Sequence, residues 1–280
     1  LKCPNGIVLG TPGSGKSFFA KREMANAFFA TPDHILILDA ENEYTALTEQ
    51  LHGQTIYLAP DSQSYLNPMD LDLSTDVGES PMLMQADFLL SQCELMMASY
   101  GNPLMPIEKS LIDRCISLVY RDYLKNPRPE NMPILGDLYQ CLREQHNSRA
   151  DDLATAMEIY VTGSLSYLNH RTNVDLNNRM VCYNISKLGQ GLKKLVMSNV
   201  QKHIWQRTAV NRYAGITTRI FLDEFHLLLK EPQTAAYTAE IYKRFRKWNG
   251  IPTSLTQNVK DLLDSSEIEN ILENSDFVLM

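Results

Sequence analysis

Four residues near the start of the chain restrict its architecture more than any bulk property does. Gly10, Gly15, Lys16 and Ser17 fit the pattern G-x-x-x-x-G-K-[ST] of a phosphate-binding loop. The apolar triplet Ile7, Val8 and Leu9 precedes it, and a run free of Gly and Pro extends from Ser17 to Phe29. Strand, loop and helix therefore come in the order such a loop requires. Gly10, Gly13 and Gly15 are expected to allow backbone angles that side chains would block, so that successive N–H groups turn inward around phosphate oxygens. The helix starting near Lys16 aims its positive end at the same anion. Lys16 is expected on the β- and γ-phosphates and the Ser17 hydroxyl on Mg²⁺. Gly10, Thr11, Pro12, Gly13, Ser14, Gly15, Lys16, Ser17 and Phe18 form the expected nucleotide-binding set.

With 280 residues, 44% of them hydrophobic, the chain can bury a large α/β core, with or without an insertion. No apolar run approaches the roughly 20 residues that cross a bilayer, and no charged-then-apolar signal segment opens the chain. Direct membrane insertion is not expected. The five cysteines, Cys3, Cys93, Cys115, Cys141 and Cys182, are odd in number and scattered. That pattern argues against disulfides or structural zinc and fits a reducing cytoplasm. The net charge of −7, with no block of Lys and Arg, gives no support to tight binding of a nucleic-acid backbone. A start at Leu1 and a stop within the apolar run SDFVLM read as a piece of a longer protein.

After the loop helix, ILILDAENEY (35–44) reads as a buried parallel strand ending in acids, and TIYLA (55–59) as another. Parallel sheets bind ligands at the carboxyl ends of their strands, so Asp39, Glu41 and Glu43 are expected near the nucleotide edge, with Glu43 the preferred participant. Between 79 and 170 four helical stretches follow with no strand among them. In the second, Leu111, Ile112, Cys115, Ile116, Val119, Tyr120 and Tyr123 repeat at the spacing of one buried stripe. Met82, Met84, Met96 and Met97 read as core. The expected organisation is a nucleotide-binding core, 1–78 and 171–280, interrupted by an all-α insertion, 79–170.

The sheet resumes at MVCYNIS (180–186). TRIFLDE (218–224) is the next strand, and two adjacent acids follow its apolar residues. Burying two neighbouring acids without a cation would be costly. Asp223 is therefore the expected Mg²⁺ holder, and Glu224 the general base that polarises the attacking water. ILILDAE offers a rival acid at Asp39. Asp223 and Glu224 are preferred because RecA-like ATPases place an extra strand between the two motif strands and set the catalytic Glu beside the metal-binding Asp. Pro232 opens a helix expected to run to Trp248 and stop at Gly250. Among the cations near its end, Arg246 is the expected arginine finger, projecting onto a neighbouring subunit's γ-phosphate, with Arg244 and Lys247 as substitutes. Gln257 ends the strand PTSLTQ and is the expected γ-phosphate sensor. A capping box between Ser266 and Glu269 is expected to open another helix, and DFVLM to form a last strand.

GTPGSGKS (10–17), LDAENEY (38–44), YLNPMD (65–70), IFLDE (220–224), KRFRKWNG (243–250) and TQNVKDLL (256–263) together resemble the type IV secretion and conjugation ATPases of the TraC/TrbE kind, in the HerA/FtsK branch of RecA-like motors. The resemblance covers nearly the whole chain, although Ala40 stands where that family often has Pro. It implies an α/β, RecA-like P-loop core with a mostly parallel sheet and an inserted all-α subdomain. It also implies ATP and Mg²⁺ as cofactors and hexamer assembly with other secretion-system components. The implied location is the cytoplasmic face of a secretion channel, reached through an N-terminal part not contained here. Two other readings stay open: a DNA-pumping translocase or coupling protein of the same superfamily, and a nucleotide-binding assembly scaffold that hydrolyses little.

Overall fold

The computed structural model describes residues 5–73, 80–97, 103–263 and 265–280. Cys3, the expected helix residues Ala98 and Ser99, and the expected boundary at 78/79 lie outside them.

The described chain runs in the order β1 (Gly6–Leu9), α1 (Lys16–Ala30), β2 (His34–Asp39), α2 (Thr45–Gln50), β3 (Gln54–Tyr57), α3 (Pro81–Met97), α4 (Pro106–Val119), α5 (Arg121–Lys125), α6 (Leu135–Arg143) and α7 (Ser148–Val161). It continues with β4 (Met180–Asn184), α8 (Gln190–Tyr213), β5 (Thr218–Leu222), α9 (Pro232–Phe245), β6 (Gly250–Thr256), α10 (Val259–Leu263), α11 (Ile268–Glu273) and β7 (Phe277–Leu279).

Two compact units divide it. The first comprises 1–59, 175–188 and 200–280. It holds a seven-stranded sheet in the order β3-β4-β2-β5-β6-β1-β7, with every pairing parallel. The fold is that of a RecA-like P-loop domain. Strands covered on both faces must be apolar throughout, and β2 and β4 are buried almost without interruption. On one face Val8, Ile35, Ile37, Met180, Cys182, Phe221 and Leu255 pack with Ala20, Met24 and Ala27 of α1 and with Tyr44. Tyr242 of α9 stitches strands by hydrogen bonding: its Oη donates to Gly6 O at 3.0 Å and lies 2.6 Å from Ser254 Oγ.

The second unit, 60–174 with 189–199, contains α3 to α7 and the start of α8, with no strand among its described residues. It is wider than the 79–170 span expected of the insertion, because YLNPMD is a buried turn bonded to the helices that follow. Asn67, fully buried, donates through Nδ2 to Pro133 O at 2.8 Å, and its backbone N–H donates to Thr172 Oγ1. Gln85 Nε2 bonds Pro68 O and Tyr120 Oη. The stretch 189–199 joins through Gln92 Nε2 to Leu195 O and Asn199 Nδ2 to Leu66 O. The expected stripe of α4 is buried at Leu111, Ile112, Cys115 and Ile116, but the helix breaks at Tyr120 before α5. Met96 and Met97 are core, whereas Met82 and Met84 are only half-buried.

Two expected helix ends differ from the structure. Helix α9 stops at Phe245, and Asn249 (φ 54°), not Gly250, takes the left-handed conformation before β6. Gly250 is instead a packing glycine, since a Cβ there would fall 2.8 Å from Phe245 Cβ. The expected Ser266 capping box is absent. Helix α11 begins at Ile268 with Glu267 at its N-cap, and Ser265 Oγ accepts the Glu267 N–H at 3.3 Å. Among the described residues, no helix is long and apolar enough to cross a membrane.

Candidate active site

The loop between β1 and α1 has the form its glycines dictate, with one difference. Gly13 (φ 79°) and Gly15 (φ 93°) adopt left-handed angles that L side chains resist. Gly10 does not, and its constraint is space: a Cβ there would lie 2.3 Å from Ser14 Oγ and 3.2 Å from Lys16 Cγ. Ser14 N donates to Thr11 O at 3.1 Å to close the turn. Thr11, Pro12, Gly13, Ser14 and Gly15 are exposed. No side chain caps the first N–H groups of α1, which leaves them to an anion. Lys16 Nζ donates to Gly10 O at 2.8 Å and Thr11 O at 3.3 Å, so the ammonium is folded over the loop. Phe18 is 73% exposed, while Phe19 packs on the core.

Strand β6 lies between β1 and β5, which places the acid pair across one strand from the loop. Asp223 and Glu224 follow β5 directly, and each is 5% exposed. Asp223 N donates to Leu38 O at 3.0 Å, fixing the pair against the end of β2. Burial pushes the Asp223 carboxyl up to about 8, and the neighbouring acids Glu224, Asp39, Glu43 and Glu41 push in the same direction. Glu224 is held at φ 46°, ψ 44°, a left-handed conformation costing a non-glycine residue about 1 kcal/mol or more. Glu224 Oε2 and Glu43 Oε2 are buried without hydrogen-bond partners.

Buried carboxylates short of positive charge are the hard oxygen donors that suit Mg²⁺. Among the described residues no group of three or more His, Cys, Asp and Glu side chains forms a metal cage. Mg²⁺ needs no such cage, since it takes one or two protein oxygens and completes its shell with phosphates and water. Ser17 and Asp223 are the residues that would hold it.

Asp39 is occupied structurally. Its two carboxylate oxygens accept the N–H groups of Glu43 and Tyr44, both at 2.9 Å, and build the turn into α2. That turn delivers Tyr44, which sequence reasoning did not assign. Its ring is fully buried, and its hydroxyl stands beside Ser17 without a well-formed hydrogen bond. Burial, and then Asp223, Glu43 and Asp39, hold that hydroxyl well above the ordinary tyrosine range, hence neutral. His226 and Thr256 were also missed. His226 Nδ1 lies 3.0 Å from Thr256 Oγ1 and 3.0 Å from Glu224 Oε2. No spacing rule marks either residue, since their meeting depends on β5 and β6 being neighbours.

Gln257 is half-buried and sits one residue beyond β6. The β6 tip touches the phosphate loop, because Gly10 N donates to Thr256 O at 3.3 Å. Arg246 is not brought to this place. It caps the C-terminus of α9, exposed, at the entry edge of β6, whose seven residues put it about 23 Å from the loop edge. Arg244 is engaged locally: its Nε is 2.8 Å from Glu240 Oε2 and its guanidinium lies 5.6 Å from the Trp205 ring centroid. Lys247 is exposed.

A glycine loop on β1, an acid pair on β5 and a strand between them define a P-loop nucleotide-binding domain of the RecA-like class. The TraG P-loop domain matches residues 2–280, and the chain belongs to that family. VirB4 of Thermoanaerobacter pseudethanolicus superposes with a TM-score of 0.83 at 23% identity, over 98% of this chain and 76% of that one. The plasmid coupling protein TrwB, in complex with ADP and Mg²⁺, superposes at 0.61 with 14% identity, over 98% and 69%. TrwB in complex with the non-hydrolysable GTP analogue GDPNP gives 0.60, again at 14% identity and over 98% and 69%. At these identities the likeness speaks for the fold. Among curated proteins no match is found.

Proposed function

We propose that this domain is the ATP-hydrolysing motor of a type IV secretion or conjugation apparatus, energising its assembly or the transfer of its substrate. The observation that carries the reading is the buried Asp223–Glu224 pair, one strand away from the Lys16 loop, where burial and the neighbouring acids push the Asp223 carboxyl upward. ATP would lie on the loop backbone and Lys16, with Ser17 and Asp223 holding Mg²⁺. The ion, when bound, supplies positive charge against the charge that develops on the phosphates. Glu224 takes the proton of the attacking water, and Gln257 senses the γ-phosphate. Arg246, remote from its own loop, acts on the nucleotide of an adjacent subunit in a hexamer. The helical unit is an insertion in this core. Other secretion-system components would hold the motor at the inner face of the membrane.

The test is Glu224→Gln in the assembled full-length protein. Turnover is expected to fall by about 100-fold or more while ATP affinity stays within a few-fold; equal turnover removes Glu224 from the role. The fold shared with the coupling protein TrwB keeps a DNA-translocating motor as the second reading, and stimulation of hydrolysis by DNA would favour it. A scaffold with little hydrolysis is separated by its lack of concentration-dependent turnover.

A further inference from the structure

His226 belongs to no motif, yet it stands between the two parts of the site that must communicate. It lies on the short 3-10 helix Phe225–Leu229 immediately after the acid pair. Its Nδ1 is 3.0 Å from Glu224 Oε2 and 3.0 Å from Thr256 Oγ1, and the His226 and Glu224 side chains are 11% and 7% exposed. Only the contact with Thr256 is aligned as a hydrogen bond, and Glu224 Oε2 has no hydrogen-bond partner. A single ring nitrogen cannot satisfy both oxygens at once: with its proton it donates fully to one, and without it it accepts only from the hydroxyl. Thr256 is itself tied to the nucleotide loop. Its carbonyl accepts the Gly10 N–H at 3.3 Å, and its Oγ1 accepts the Asn258 N–H at 3.1 Å, which braces the segment carrying Gln257.

We propose that His226 is a positioning residue that couples the β6 tip to the Glu224 carboxylate. In the structure Nδ1 is engaged by Thr256, and Glu224 sits unheld on a left-handed backbone. A small shift of the Thr256–Gln257 tip, such as contact of Gln257 with a γ-phosphate would produce, frees Nδ1 to donate to Glu224 Oε2 and orients the carboxylate toward water. The pair of partners makes a two-state element that a ligand biases only through its different contacts in the two states. Gating the base in this way ties hydrolysis to recognition of the third phosphate. The inference rests on the reading of Glu224 as general base.

Steady-state hydrolysis and binding of a fluorescent ATP analogue, measured on the assembled full-length protein, test it with five variants. His226→Ala is expected to lower kcat about 10- to 100-fold, the size of effect that misplacing a catalytic group by an ångström produces. KM and the analogue's affinity should stay within about twofold, because the loss is confined to the transition state. His226→Asn, whose amide NH₂ can occupy the Nδ1 position, should recover most of the rate. Thr256→Val, nearly isosteric but without the hydroxyl that engages Nδ1, should release the ring to Glu224 and raise kcat, and in the His226→Ala background it should have no such effect, as expected of two residues acting through one contact. Unchanged kcat in His226→Ala overturns the proposal. So does parallel loss of affinity with no recovery in His226→Asn, which would mean a purely structural role, and so does a loss of kcat in Thr256→Val that is the same with His226 present or replaced by Ala. Glu224→Gln, run alongside, separates the two levels: if it turns over normally, the reading of the site fails, whereas silence of Glu224→Gln beside normal His226 variants defeats the coupling alone.

Discussion

Replacing Asp223 with Asn should stabilise the domain while removing its use for Mg²⁺. The carboxyl is 5% exposed and held up to about 8 from an ordinary 3.8, by burial first and then by Glu224, Asp39, Glu43 and Glu41. An unfolded chain releases this proton near 3.8, whereas the folded chain keeps it to about 8. The native state therefore binds the extra proton between those values. Its stability falls as pH rises through that window and is lowest above about 8. Each factor of ten in proton affinity is about 1.4 kcal/mol, so the interval sets a ceiling near 6 kcal/mol. Water at the exposed phosphate loop screens part of it, leaving about 2–3 kcal/mol. Asparagine keeps the shape and never carries the charge. In EDTA and without nucleotide, Asp223→Asn should melt roughly 5–10 °C above the parent at pH 8.5, with the gap closing toward pH 5. Addition of Mg²⁺ and ATP should raise the parent's Tm and leave the variant's nearly unchanged. Differential scanning fluorimetry across that pH range reads both effects. A variant no more stable than the parent at pH 8.5, or a gap that does not vary with pH, would refute the account of Asp223 as an uncompensated buried acid.

Arg246→Ala should abolish concentration-dependent turnover while ATP affinity of the unassembled chain stays within about twofold. Arg244→Ala should instead lower the melting temperature by a few degrees, because it loses both the Glu240 pair and the Trp205 face; calorimetry with an ATPase assay distinguishes the two, and the reverse pattern would exchange their roles. Gly10→Ala should weaken nucleotide binding about 10-fold by displacing Ser14 Oγ, 2.3 Å from the added methyl. Ser14→Ala in the same chain should recover part of that loss in a titration with the fluorescent analogue, whereas no recovery would mean that Gly10 is constrained by backbone rather than by space.

Much of the nucleotide loop was legible because its demands are local. Gly13 and Gly15 meet backbone angles that can be inferred from the pattern alone, and the apolar runs of β2, β4 and β5 mark strands covered on both sides. Local inference failed where two residues could meet the same need. Asn249 rather than Gly250 supplies the left-handed turn after α9, since asparagine tolerates that region and Gly250 is used for close approach to Phe245. Gly10 looked like a backbone requirement and is a packing one. The place of YLNPMD among the helices that follow was not legible, because it has no periodicity of its own and its hydrogen bonds reach residues far along the chain.

By itself the sequence determined the phosphate loop, the parallel strands, the helical stretch between them and the acid pair at the end of an apolar run. These follow from glycine angles, side-chain periodicity and the penalty on buried charge, all of which act over a few neighbouring residues. Only the tertiary structure decided the order of the strands. By inserting β6 between β1 and β5 it set Thr256 against Gly10 on one side and brought it to His226 on the other, left Asp39 to build a turn, and carried Arg246 to the opposite edge of the sheet. Strand order is settled by which apolar faces bury together after chain segments of very different length have closed, and no window of adjacent residues contains that information.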